Sequence, residues 1–383
     1  MNIRDVYSAK AIALGNTDVA SNTIAYLGSG LFPAKKKMGL DLKWIKTSKG
    51  LPVSLAPSNF DAVSTLRSRE GFKLTETEMA FFRESMLIKE ADEQEIMRVQ
   101  DSTDPYASEV LSRIFDDANT LIDGANVVPE RMIMQLLAPS DGSPKISIQA
   151  NGVTYAYNYD PSNTYKTHNF ANLEGPTDKW DDHENSDPLD DVSVALDAVE
   201  AETGERPSIM IVSRKTMDHL KQNKKIRSAI LAQNATANIF MNDNRVKEVF
   251  SNELGISIIV YSKQYKNESG VATKFYPDGF ATLIPSGALG NTWYGTTPEE
   301  RTLIGKPTAD VSIVNTGVAV AVSVSEDPVQ TKTTVSEIVL PSYERMDSTY
   351  VIKCYSEVIL WFTSAKQNIR GRGVCQERTY RRK

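Results

Sequence analysis

The side chains able to do chemistry are few, and their spacing does not suit it. Asp181, Asp182, His183 and Glu184 stand together, and carboxylates with an imidazole can grip a cation. Their spacing matches no known ligand set, so a solvated acidic loop is the simpler expectation. The other histidines are His168 and His219, and His219 falls beside Lys221, Lys224 and Lys225, where a partly exposed surface histidine is expected. Gly290 and Gly295 have the separation of a phosphate-binding loop, but Thr296 and Thr297 follow where Lys-Ser/Thr would be needed. No GxGxxG follows a strand, and no HExxH, CxxC or GxSxG occurs. Cys354 and Cys375 are single, which rules out a disulfide scaffold. Cys354 alternates within a strand-like run and reads as a small core side chain. The aromatic turn Trp293–Pro298 reads as packing. No catalytic residue, cofactor or resident metal follows from these residues.

What remains is charge, arranged in blocks. The 383 residues carry 43 Lys+Arg against 49 Asp+Glu, a net charge of −6. That average hides segregation. Residues 35–49 hold six lysines (Lys35, Lys36, Lys37, Lys43, Lys46, Lys49) against Asp41 alone. Residues 76–95 hold seven acids, among them Glu76, Glu78, Glu84, Glu90, Asp92 and Glu93, against two bases. Residues 174–205 hold twelve acids against Lys179. Residues 366–383 hold seven bases, including Arg370, Arg372, Arg378, Arg381 and Arg382, against Glu377. Such a basic tail suits contact with DNA phosphates through counterion release, or simple solvation. With 40% hydrophobic and 24% charged residues, the composition is that of a globular protein with two or three core-bearing units. The N-terminus has no apolar core of a signal peptide. The longest apolar stretches, near 311–324 and 358–362, fall short of the ~20 residues that span a bilayer. A soluble chain, cytosolic where it is made, with no membrane partner, is expected.

The elements that must carry these charges can be read in order. Residues 1–34 are small and polar and read as an arm. Leu40–Trp44 and Leu51–Leu55 alternate about a Lys49-Gly50 turn, a long basic hairpin. A hairpin alone is marginally stable and needs something to lie on. Residues 76–100 carry helix signals, with acids in a first turn and Met79, Phe82 and Met86 on one side. Asp104 and Pro105 start a strongly periodic helix through Ile114, Phe115, Leu121 and Ile122, broken or kinked near Gly124 and restarted at Pro129. Asn151-Gly152 between alternating segments predicts a tight hairpin over 145–159. Residues 160–187 read as a polar connection. Asp187 caps a helix begun by Pro188 and ended by Gly204, and a short strand then leads through Ser213 into a helix around His219. Strands follow at Ile256–Tyr261, Phe280–Ile284, Val311–Val324, Thr333–Leu340 and Tyr350–Tyr355.

Several of these runs are familiar together. Leu31-Phe32-Pro33, Gly39–Ile45, Leu55–Asp61, Arg67 and Arg69 before Gly71-Phe72, Glu78–Glu84, Lys89–Asp92, Asp327-Pro328-Val329 and Leu340-Pro341-Ser342 resemble the major capsid proteins of tailed bacteriophages, in particular the lambda-type major head protein family. The resemblance covers roughly residues 25–355. It implies an α+β protein with the Hong Kong 97-like capsid fold. The parts expected are an N-terminal arm (1–34), an extended hairpin loop (35–74), a peripheral domain with a long spine helix and sheet (75–184), an axial mixed α/β domain (185–325), a return to the peripheral domain (326–358) and a basic tail (359–383). It further implies self-assembly through hexamers and pentamers into an icosahedral head shell around double-stranded DNA. A scaffolding protein, a portal and a decoration protein are implied partners, with assembly in the bacterial host cytoplasm and residence in the virion capsid.

On that resemblance the charge blocks acquire a use. Lys35, Lys36, Lys37, Lys43, Lys46 and Lys49, with Trp44 and Ile45 as apolar anchors, would meet Glu76, Glu78, Glu84, Glu90, Asp92 and Glu93 on the acidic spine side of a neighbouring copy. Single exposed pairs are weak, ~0–1 kcal/mol each, but they set register and repeat throughout a shell. Two other readings compete. A DNA-binding protein would work through the basic tail, and an enzyme would hold a metal at Asp181–Glu184. Neither explains a basic hairpin beside an acidic segment.

Overall fold

The computed structural model describes residues 26–46, 73–87, 107–150, 152–175, 177–233, 241–305, 311–314, 320–326 and 331–355. The arm before Tyr26, the turn and outer part of the hairpin, residues 88–106 and the tail after Tyr355 lie outside the described residues.

The chain enters through a short helix, α1 (Leu27–Leu31), and a strand, β1 (Ala34–Lys36). Gly39, at φ 91°, turns it into β2 (Asp41–Lys46). The return leg, β3 (Lys73–Glu78), pairs antiparallel with β2, setting Asp41 opposite Glu78, Lys43 opposite Glu76 and Lys46 opposite Lys73. A further strand, β4 (Ala80–Leu87), follows after Met79. The helix expected from residue 76 is therefore strand up to Leu87. Local helix preference is worth only tenths of a kcal/mol per residue. A full ladder against β16 (Thr331–Ser342), with Ala80 opposite Val339 and Leu87 opposite Lys332, outweighs it.

The spine helix, α2 (Ala107–Leu137), is 31 residues long and runs unbroken through Gly124 and Pro129. The expected break is absent. A proline removes one N–H and crowds the carbonyl four residues earlier. The turns on either side are pinned, because Leu121, Ile122, Met132, Ile133, Leu136 and Leu137 are all buried. The expected hairpin forms as β5 (Lys145–Ala150) and β6 (Val153–Asn158), with Gly152 at φ 78°. The connection after it is not featureless. It contains α3 (Thr164–His168) and β7 (Phe170–Asn172), and β7 pairs parallel with β17 (Tyr350–Lys353).

The next stretch follows its capping signals. Asp187 accepts from the Asp190 N–H at the start of α4 (Pro188–Thr203), and Gly204 closes it at φ 72°. After β8 (Ile209–Val212), Ser213 caps α5 (Arg214–Gln222). Then come α6 (Lys224–Gln233), α7 (Asp243–Leu254), β9 (Ser257–Val260), β10 (Gln264–Lys266), β11 (Ala272–Lys274), β12 (Phe280–Ile284), β13 (Asn291–Tyr294), α8 (Pro298–Gly305), β14 (Val311–Val314) and β15 (Val320–Glu326).

Two sheets organise this material. The five-stranded sheet has the order β7-β17-β12-β8-β9. One face packs under the helices around Trp180, Val192, Leu196, Met217, Leu220 and Phe250. The other joins the spine helix, with Ile211, Phe280 and Ile284 against Met132 and Leu136 in a common core. Covered on both faces, β12 is buried at every residue. The six-stranded sheet runs β1-β13-β16-β15-β14, with β4 on the other side of β16. The chain leaves the first sheet after Ile284, stays in the second from β13 to β16 and rejoins the first only at β17. A division at residue 325 thus cuts across both sheets. The glycines read as a failed phosphate loop have a packing use: a Cβ on Gly290 would lie 1.8 Å from the Ser342 carbonyl oxygen.

Candidate functional site at the base of the extended loop

The first turn of α8 collects the charges around it. Pro298 opens the helix, the Glu300 N–H donates to Thr297 Oγ1 at 3.3 Å, and Glu299 and Glu300 occupy the end where the helix dipole favours acids. Glu300 pairs with Lys36 Nζ at 2.6 Å. Glu299 pairs with Arg83 of β4 and accepts from Ser336 Oγ of β16 at 2.7 Å. Both acids are buried, 6% and 7% exposed. A buried carboxylate left without a donor costs about 1–3 kcal/mol or more, so these contacts fix β1, β4 and α8 to one another.

Lys35, Lys36 and Lys37 therefore do not belong to the loop, contrary to the expectation. β1 is a parallel edge strand on β13, with Lys35 opposite Trp293 and Lys36 opposite Tyr294. Lys35 Nζ sits 5.5 Å from the centre of the Trp293 ring, and the Lys37 N–H donates to the Tyr294 carbonyl at 2.8 Å. The hairpin alternation begins only after Gly39, and the lysines before it are held by the sheet.

Next to this knot lies a groove of about 1430 Å³, walled by Met38 and Leu40, by Glu78, by Tyr155 and Tyr157 of the β5–β6 hairpin and by Arg301 of α8. Tyr157 OH donates to the Glu78 carbonyl at 2.9 Å. Tyr155 OH accepts from the Phe81 N–H at 3.2 Å, on the side of β4 turned away from β16. The two tyrosine rings stack at 6.4 Å. Burial, then Tyr155 and the Glu78 carboxylate, push the Tyr157 hydroxyl up to about 12, so it remains a donor at any ordinary pH. Met38 is 80% exposed and Leu40 41%. Both lie at the mouth of the groove.

The other expected contact residues scatter. Lys43, Trp44, Ile45 and Lys46 lie on the outgoing leg, β2, and Glu76 and Glu78 on the return leg, β3. The expected acidic partners at 76 and 78 thus stand opposite the basic leg in the same chain, not on the spine helix. Glu84 is exposed on β4. Lys49, Glu90, Asp92, Glu93, Arg370, Arg372, Arg378, Arg381 and Arg382 lie outside the described residues. Glu299 and Glu300 were missed, although Thr-Pro-Glu-Glu is a recognisable helix start.

Asp182 and Glu184 of the acidic cluster are spent on local structure. Asp182 accepts from the Asn185 side-chain amide (2.8 Å) and from the N–H groups of Asn185 (3.2 Å) and Glu184 (3.1 Å), and these bonds, the side-chain one foremost, hold its carboxyl below the usual range. Glu184 pairs with Lys224 at 2.7 Å. His183 Nε2 and His219 Nδ1 are 2.9 Å apart, and His219 meets the Tyr355 ring edge-on. His219 is partly exposed, as expected, and burial followed by the neighbouring His183 lowers its pKa. Cys354 is fully buried, as expected of a core residue. Among the described residues no helix is long and apolar enough to cross a membrane.

The family model described as phage major capsid protein E matches residues 16–353. None of the curated proteins compared matches the chain. Among solved structures the chain is similar to a phage-related protein of Bordetella bronchiseptica, at 14% identity and a TM-score of 0.52, covering 91% of this chain and 97% of that one. It is also similar to a protein described as the capsid protein of a prophage of Escherichia coli CFT073, at 16% identity and a TM-score of 0.53, covering 91% and 99%. At these identities the likeness establishes the fold, and it takes in nearly the whole of both relatives.

Proposed function

Because the chain belongs to the phage major capsid protein E family, we propose that the base of the extended loop is where one copy grips the next in the head shell. The protein is a structural component of the phage capsid, with the α+β Hong Kong 97-like fold, and its place is the virion. The observation that carries the proposal is the two-legged loop itself. β2 and β3 form a ladder beside a groove whose apolar mouth, Met38 and Leu40, stays uncovered among the described residues. Lys43, Lys46 and Lys49, with Trp44 and Ile45, are the loop residues we assign to the neighbour. Glu84, Glu90, Asp92 and Glu93 are the acids they would meet there.

In this reading the spine helix with the six-stranded sheet is the peripheral part of the subunit, and the five-stranded sheet with α4–α7 is the axial part at the capsomer centre. Copies close into hexamers and pentamers during assembly in the host cytoplasm, with a scaffolding protein, a portal and a decoration protein as further partners. The packaged double-stranded DNA is met without sequence preference, with Arg370, Arg372, Arg378, Arg381 and Arg382 as the basic contribution. The test is reversal of Lys43, Lys46 and Lys49 to Glu in the full chain, with negative-stain electron microscopy of the expressed protein at low and high salt. Loss of closed shells without loss of folded protein is expected. Undiminished shells at both salt concentrations would overturn the loop assignment.

A further inference from the structure

A cavity of about 680 Å³ lies between the middle of the spine helix and the six-stranded sheet. Leu121, Gly124 and Val128 of α2 form one wall, and Phe82, Val335 and Glu337 of the sheet form the other. Phe82 and Glu337 are directly opposite in the β4–β16 ladder, so both side chains leave the sheet on this face. Glu337 is 1% exposed, and among the described residues neither of its carboxyl oxygens has a hydrogen-bond partner.

The charged and titratable groups around it are these. The spine helix contributes Arg131. β4 contributes Arg83 and Glu84, and the β10–β11 hairpin contributes Tyr265, Lys266 and Glu268. Tyr294 approaches from β13. None is bonded to Glu337. Arg83 is engaged by Glu299, and Lys266 is exposed at the rim. Arg131 is held by Glu268 at 2.5 Å and lies 5.5 Å from the Tyr265 ring centre, while its Nε is buried without a partner. Two unspent polar groups of opposite character therefore line one cavity. The helix above them has its weak points there, a glycine at 124 and a proline at 129 that lacks the N–H for its own turn.

We propose that Glu337 is a proton-held catch between the spine helix and the six-stranded sheet: neutral, it lets the helix rest across the cavity; ionised, it draws Arg131 from Glu268 and loosens the helix. An unpaired carboxylate cannot stay in such a place, since burying a charge without a partner is far costlier than burying the neutral acid. Burial accordingly pushes the Glu337 carboxyl well above its ordinary range. The sign follows from the raised value. The folded state holds this proton more tightly than the unfolded chain, so the contribution is complete below the ordinary carboxylate pKa. It is lost progressively as pH rises from there towards the folded-state value.

The experiment compares the full-length protein with Glu337→Gln, which mimics the neutral acid, and Glu337→Leu, which removes the polar group. Hydrogen exchange is followed in peptides from 119–131 and from 280–284 between pH 5 and pH 8, each variant against wild type at the same pH. At pH 5 wild type and Glu337→Gln should agree. At pH 8 wild type should exchange at least tenfold faster in 119–131 than either variant, with no difference in 280–284. The leucine variant keeps the test decisive if the amide is not accommodated. Arg131→Met, which removes the cation that the ionised acid draws, should diminish the pH-dependent loss of protection in an otherwise wild-type chain. Parallel pH profiles for wild type and variants, as expected if solvent in the cavity satisfies the acid, would overturn the proposal. An unchanged profile in Arg131→Met would overturn the partner exchange.

Discussion

The two sheets are built from similar strands, yet one buried polar group in each meets an opposite fate. In the five-stranded sheet, β12 carries one hydroxyl in its buried run, and that hydroxyl is fully used. Thr282 Oγ1 donates to the last carbonyl of the spine helix, Leu137, at 2.6 Å and meets Tyr276 OH at 2.8 Å; Tyr276 OH lies 3.1 Å from the Ile211 carbonyl. In the six-stranded sheet, β16 carries Glu337 with no partner and a cavity above it. The spine helix shows the same contrast. Glu130 is 2% exposed, as deeply buried as Glu337, yet it accepts from the Gly28 N–H at 2.9 Å and from Tyr261 OH. One buried acid ties α1, the helix and the end of β9 together; the other ties nothing. Satisfied buried polar groups fix a single arrangement, whereas an unsatisfied one stores free energy that a movement can release. On the proposal above, the junction of the spine with the six-stranded sheet is the place that would yield first, and the five-stranded sheet the place that would not.

The contrast is easiest to break by truncating each core. Leu283→Ala removes a fully buried side chain from a sheet packed on both faces. It should cost about 2–5 kcal/mol in urea denaturation. Val335→Ala borders the existing cavity, loses little beyond its transfer term and should cost about 1.5 kcal/mol. Equal costs would mean that the two sheets are equally well packed. The acids give the second, sharper comparison. Glu130→Leu strands the Gly28 N–H and the Tyr261 hydroxyl and should destabilise by about 1–3 kcal/mol for each. Glu337→Leu strands nothing and should be neutral or stabilising at pH 7. Opposite signs at two equally buried positions would separate partner count from burial as the cause.

The sequence announces some of this and conceals the rest for physical reasons. The hairpin at 145–158 and the helix at 188–203 are local problems, settled by Asn-Gly, Asp-Pro and a terminal glycine, and both are legible. The segment 73–87 is not, because its strands exist only by virtue of β2 and of β16, some 250 residues further along the chain. The unbroken spine is hidden for the same reason, since packing of the later turns overrides a glycine and a proline. The Lys36–Glu300 and Arg83–Glu299 pairs join segments more than 200 residues apart, so no spacing could reveal them. Glu337 was readable in principle. Val335, Glu337 and Val339 alternate on one face of a strand, and an acid between two valines on the buried side is a local conflict of the kind that marks a functional position.

The smallest expected effect separates the lysines that hold the chain to itself from those assigned to a neighbour. Lys36 Nζ is part-exposed, 29% for the side chain, and its partner Glu300 is 10% exposed. Solvent screens such a pair, so a double-mutant cycle of Lys36→Met and Glu300→Gln should give a coupling of only about 0.5–1 kcal/mol, smaller still at high salt. Because that bond is closed within one subunit, Lys36→Met should shift the unfolding midpoint slightly and leave the salt dependence of shell yield unchanged. Reversal of Lys43, Lys46 and Lys49 should do the converse. A shell yield that responds to Lys36→Met as strongly as to the loop reversal would show that the sheet-edge lysines also face another copy, and the boundary drawn at Gly39 between fold and interface would have to move.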